Sequence, residues 1–122
     1  MTFYLSAAFV TLAAADSEKL VQFYAQFLQL EPHPYIPNVY AEFQVSGLRL
    51  GIFKPKASHA EEFSQSDRAG MSLCLEVTDL EAAIDRLKKL GYPPPGEIIT
   101  TSHGREIYAY DPAENRLILH QK

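Results

Sequence analysis

The stretch Ser72-Leu73-Cys74-Leu75-Glu76-Val77-Thr78-Asp79-Leu80-Glu81-Ala82-Ala83 changes its period at Asp79. Before that residue, Met71 to Val77 alternates as a strand does. After it, Leu80, Ala83, Ile84 and Leu87 fall on one face of a helix. Asp79 is the predicted N-cap, and Gly91 stands where a helix ends in the left-handed conformation. The same passage occurs earlier. Ala7 to Ala15 reads as a strand, and Asp16 precedes Asp79 by 63 positions. Leu20, Phe23, Tyr24, Phe27 and Leu28 then repeat the helical spacing.

Three short strands are expected after each helix. In the first half they are Pro34–Ile36, Val39–Val45 and Leu48–Phe53, with Ser46-Gly47 as a tight turn. In the second they are Gly96–Thr101, Glu106–Tyr110 and Arg116–His120, the last two joined across 111–115. Pro93-Pro94-Pro95 cannot lie in a central strand and reads as a connector. The order is βαβββ twice, an α+β fold. Its two units are expected to curl a mixed sheet into a cup with both helices on the outer face. One domain, 1–122, holds repeat one at about 5–55, a linker at about 56–69 and repeat two at about 70–122. The linker is polar, and its Phe63 is available to insert into a neighbouring pocket.

The 122 residues carry a net charge of −4, which argues against nucleic acid as a partner. A single cysteine excludes a disulfide framework and a Cys-rich zinc site. No apolar run is long enough to span a bilayer, and the first residues lack the basic start of a signal peptide. The expectation is a cytoplasmic protein without a membrane partner.

Alternation also divides the strands into two faces. Val10, Leu12, Ala41, Phe43, Leu50, Ile52, Leu73, Leu75, Leu117 and Leu119 form the apolar face toward the helices. The opposite face holds Phe9 and Thr11; Tyr40, Glu42 and Gln44; Arg49, Gly51 and Phe53; Ser72, Cys74 and Glu76. A hairpin centred between Asp111 and Asn115 adds Glu106, Tyr108 and Tyr110 opposite Arg116, Ile118 and His120. Aromatic walls with a few polar groups are typical of a ligand surface. The ligand-binding candidates are Phe9, Tyr40, Glu42, Arg49, Phe53, Ser72, Glu76, Tyr108, Ile118 and His120. Glu42, Glu76 and Glu106 favour a cationic or aromatic ligand, whereas Arg49 and Arg116 favour an anion, so the sign stays open.

The doubled unit resembles the vicinal oxygen chelate superfamily, which holds glyoxalase I, the extradiol dioxygenases and the bleomycin resistance proteins. The resemblance rests on Asp16 followed by Phe23-Tyr24 and Leu28, on Glu76 to Ala83, and on Tyr110-Asp111-Pro112-Ala113-Glu114-Asn115-Arg116-Leu117. It implies four metal-ligand positions, the first strand and the last strand of each repeat. Here they hold Phe9, Gly51, Ser72 and Ile118. Three of these side chains cannot ligate a metal, and serine is a poor ligand for zinc, nickel or iron. No metal cofactor is therefore expected, nor glyoxalase I or dioxygenase activity. A relocated divalent site would draw on Glu42, Glu76, Glu106 and His120.

The leading expectation is a metal-independent protein that binds a small molecule, with sequestration as one use of that binding. The alternative is a metal-free enzyme with Glu76 as general base and His120 or Tyr108 as acid; Glu76 and His120 are the catalytic candidates. A pure interaction module is the third reading. Cys74 reads as a small buried cysteine. The resemblance and the prevalence of twofold pairs both point to a homodimer.

Overall fold

The computed structural model describes residues 3–64 and 70–122. The last part of the linker, 65–69, lies outside the described residues. The order is β1 (Val10–Ala13), α1 (Ser17–Leu28), β2 (Tyr35–Ile36), β3 (Tyr40–Val45) and β4 (Leu48–Phe53), a 3-10 helix (Ala57–Phe63), then β5 (Leu73–Glu76), α2 (Leu80–Leu90), β6 (Ile99–Thr101), β7 (Gly104–Tyr110) and β8 (Arg116–Gln121). The βαβββ repeat is therefore present twice.

Each repeat closes its own four-stranded sheet, in the orders β1-β4-β3-β2 and β5-β8-β7-β6. The first strand of each repeat lies parallel to the last, because the intervening helix carries the chain across. The sheets are two hydrogen-bonded units, with β1 and β5 each at an edge.

The helix caps are those expected. The Asp16 carboxylate accepts from the Lys19 amide at 3.2 Å, and Asp79 from the Ala82 amide at 3.0 Å. Gly91 closes α2 at φ 95°. Ser46 and Gly47 both have positive φ, as a two-residue hairpin of primed type requires.

One core joins the repeats. Leu20, Phe23, Tyr24 and Phe27 of α1 share it with Phe43, Leu50, Leu80, Leu87, Leu117 and Leu119. Polar contacts also cross the junction. The Tyr24 hydroxyl donates to Asp111 Oδ2 at 2.7 Å, and Arg86 of α2 donates twice to the Gln26 carbonyl near the end of α1. Asp111 also accepts from the Ala113 and Asn115 amides, each at 2.9 Å, which fixes the β7–β8 turn.

Two expectations need correction. The first strand is shorter than Ala7–Ala15, so Phe9 precedes β1 and lies exposed. Cys74 is exposed rather than buried, because it sits on an edge strand with its side chain away from the helices.

Candidate functional site

The register sets the faces. In the first repeat, Thr11, Gly51 and Glu42 stand in one cross-strand row, and Ala13, Phe53 and Tyr40 in the next. In the second, Glu76, His120 and Glu106 form one row and Cys74, Ile118 and Tyr108 another. Tyr110 pairs with Arg116, so the hairpin carries no bulge and the expected register holds.

The first repeat brings four of its five predicted site residues into one network. Glu42 accepts from the Tyr40 hydroxyl at 2.7 Å and from Gln44 at 3.1 Å. Arg49 faces the same carboxylate at 3.8 Å, and its guanidinium lies 4.0 Å above the Phe9 ring. Glu42 is thus a nearly buried anion with its own donors and cation. Partial desolvation and then the hydrogen bond to Glu42 push the Tyr40 hydroxyl above its ordinary pKa. Phe53 stands outside this network. Its ring meets Phe63 of the 3-10 helix edge to face, at 5.4 Å.

The second repeat is more open. His120 Nδ1 lies 2.8 Å from Glu76 Oε1, and Arg116 donates to the Ser72 hydroxyl at 3.3 Å. The Glu76 side chain is 56% exposed. Tyr108 is exposed, and Ile118 is half-buried between the Cys74 and Tyr108 strands. Partial desolvation, followed by the charges of Glu76 and Glu106, pushes the Cys74 thiol up, away from the reactive thiolate.

A cavity of about 330 Å³ lies where β1 and β5 approach each other. Val10, Leu12, Phe63 and Met71 give it apolar walls; Thr11, Glu62, Ser72, Asn115 and Arg116 add polar groups. Of the ten predicted ligand residues, Ser72 lines this cavity and Glu76 lines a separate groove against α2. Sequence reasoning missed Val10, Leu12 and Met71 as lining residues. Face alternation does not reveal that both strands are edges, open along their sides.

The profile of the Glyoxalase/Bleomycin resistance protein/Dioxygenase superfamily matches residues 6–119. The chain belongs to this superfamily. A search of curated proteins gave no match. Among solved structures, the genomically encoded fosfomycin resistance protein of Listeria monocytogenes is 20% identical with a TM-score of 0.77, over 98% of this chain and 95% of that one. A glyoxalase/bleomycin resistance protein of Catenulispora acidiphila is 21% identical with a TM-score of 0.69, over 94% and 96%. Lactoylglutathione lyase of Agrobacterium tumefaciens is 21% identical with a TM-score of 0.67, over 96% and 94%. At these identities the likeness is one of fold.

The metal that the superfamily resemblance implies does not fit the four positions. A side chain at Gly51 would begin 2.8 Å from the Tyr40 hydroxyl, so a neighbouring phenol fills the space a ligand would use. Guanidinium groups lie against the other repeat-related positions, Arg49 over Phe9 and Arg116 on Ser72. Positive charge there opposes a dication. Among the described residues, no three His, Cys, Asp or Glu side chains gather into a group that could hold a metal ion. Glu42, Glu76, Glu106 and His120 do not form such a group. No described helix is long and apolar enough to cross a membrane.

Proposed function

We propose that this superfamily member is a metal-independent small-molecule-binding protein. Its ligand rests in the cavity along the edges of β1 and β5. The observation that carries this reading is the filling of the four metal positions. The Tyr40 phenol covers Gly51, Arg49 covers Phe9, Arg116 holds Ser72, and Ile118 is an apolar side chain. Binding without turnover, in the cytoplasm and as a homodimer, is the simplest use of such a surface. Neighbours of the same fold named for resistance to fosfomycin or bleomycin support a protective role.

Elemental analysis of untagged protein, followed by thermal-shift screening of small aromatic acids and amines, tests the reading. Metal well below stoichiometry and a ligand-dependent rise in Tm are expected. Near-stoichiometric zinc, nickel, iron or manganese would overturn it.

A second reading has its own observation. The 2.8 Å contact between Glu76 and His120 Nδ1 leaves the other ring nitrogen to move a proton. Here Glu76 orients and His120 is the base, a reversal of the roles expected from sequence. Conversion of a bound ligand by the native protein, lost in His120→Gln with binding retained, would establish it.

A further inference from the structure

Phe63 lies on two cavities at once. On one side is the β1–β5 cavity of about 330 Å³. On the other is a cavity of about 250 Å³ lined by Ala14, Ala15, Lys19, Leu20, Ser64 and Pro112 among others. Ala13 also borders both. The Phe63 ring, itself 42% exposed, is the large side chain the two cavities share. It is held edge to face against Phe53, whose register neighbour on β1 is Ala13 itself. No residue of the 3-10 helix is buried, and Phe63 is its large apolar side chain.

Ligand sites for drug-sized molecules run from about 300 to 1,000 Å³. The β1–β5 cavity is at the bottom of that range, and the second falls below it. Joined, they would accept a markedly longer molecule. We propose that Phe63 is a specificity-determining wall that limits the length of the ligand. The site then takes a compact molecule with a ring-sized apolar body and a hydrogen-bonding polar head. The head would meet the polar lining of Thr11, Glu62, Ser72 and Asn115. This inference rests on the small-molecule reading above.

The test measures Kd by calorimetry for ω-phenylalkyl compounds of increasing chain length, with carboxylate, ammonium or hydroxyl heads. Native protein, Phe63→Ala, Phe63→Leu and Phe63→Trp are compared, with Tm as a control for folding. Native protein should prefer the shortest compounds of the series it binds by at least tenfold over the longest. Phe63→Ala should reverse that preference, Phe63→Leu should weaken it, and Phe63→Trp should sharpen it. An equal change at every length would overturn the inference, since Phe63 would then supply apolar area alone. Failure of every compound to bind any of the four proteins would instead overturn the small-molecule reading itself.

Discussion

The two repeats share one backbone plan and use it differently. Arg49 and Arg116 occupy equivalent places on the last strands, and each touches the first-strand position of its own repeat. In the first repeat the arginine belongs to a closed set. Tyr40, Gln44 and Arg49 all serve Glu42, and Phe9 receives the guanidinium. In the second repeat Glu76 meets His120, Arg116 touches Ser72, and Glu76 and Tyr108 are exposed. A surface that satisfies its own polar groups gives a ligand little to bind. The chemistry available to a ligand is therefore concentrated in the second repeat and along the seam.

The largest expected effect comes from breaking the bridge between the repeats. Asp111→Ala leaves the Tyr24 hydroxyl and two backbone amides without their acceptor, in a buried place. A loss of about 3 kcal/mol is expected in urea unfolding. Next come the two vacant last-strand positions. Gly51→Glu must displace Tyr40 and should cost about 1–3 kcal/mol, whereas Ile118→Glu at a half-buried site should cost less. Neither should create metal affinity. Tight nickel or zinc binding by Ile118→Glu alone would show that the metal positions are misplaced.

Alkaline pH probes the same bridge. Burial, then the charge of Asp111 and the hydrogen bond to it, raise Tyr24 well above the ordinary tyrosine value. An unfolded tyrosine releases its proton near pH ~10, the folded one only at higher pH. The stabilisation is full below ~10 and is lost as pH rises beyond it. Tyr24→Phe should give a shallower fall of the urea midpoint between pH 9 and 11 (roughly spanning that value). The smallest effect sharpens the contrast between the faces. Glu42→Gln should cost about 1 kcal/mol because its side chain is 14% exposed and holds three partners. Glu76→Gln, more than half exposed, should stay within about 0.5 kcal/mol. Equal costs would mean that the two faces are equally structural.

What was legible in the sequence was local. Asp16 and Asp79 cap their helices through amides three residues on. The pairs Glu106–His120, Tyr108–Ile118 and Tyr110–Arg116 follow from alternation around one turn. What escaped was set by the meeting of distant segments. Alternation placed Tyr40 and Gly51 on one face but did not show that the phenol would cover the glycine. Nor does any pattern join Phe63 to Phe53, or open a cavity along two strand edges. The exposure of Cys74 follows from a sheet order that composition does not contain.

The Tyr24–Asp111 contact spans 87 residues of chain. Closing so long a loop early costs entropy that local pairs do not pay, so the contact belongs to the late stages of folding. Because its ends lie in different repeats and both face one shared core, neither repeat reaches its final packing alone. Unfolding should be a single cooperative transition, and a chain cut in the linker should depend on reassociation of its halves to regain structure. The duplication visible in the sequence is thus one unit thermodynamically.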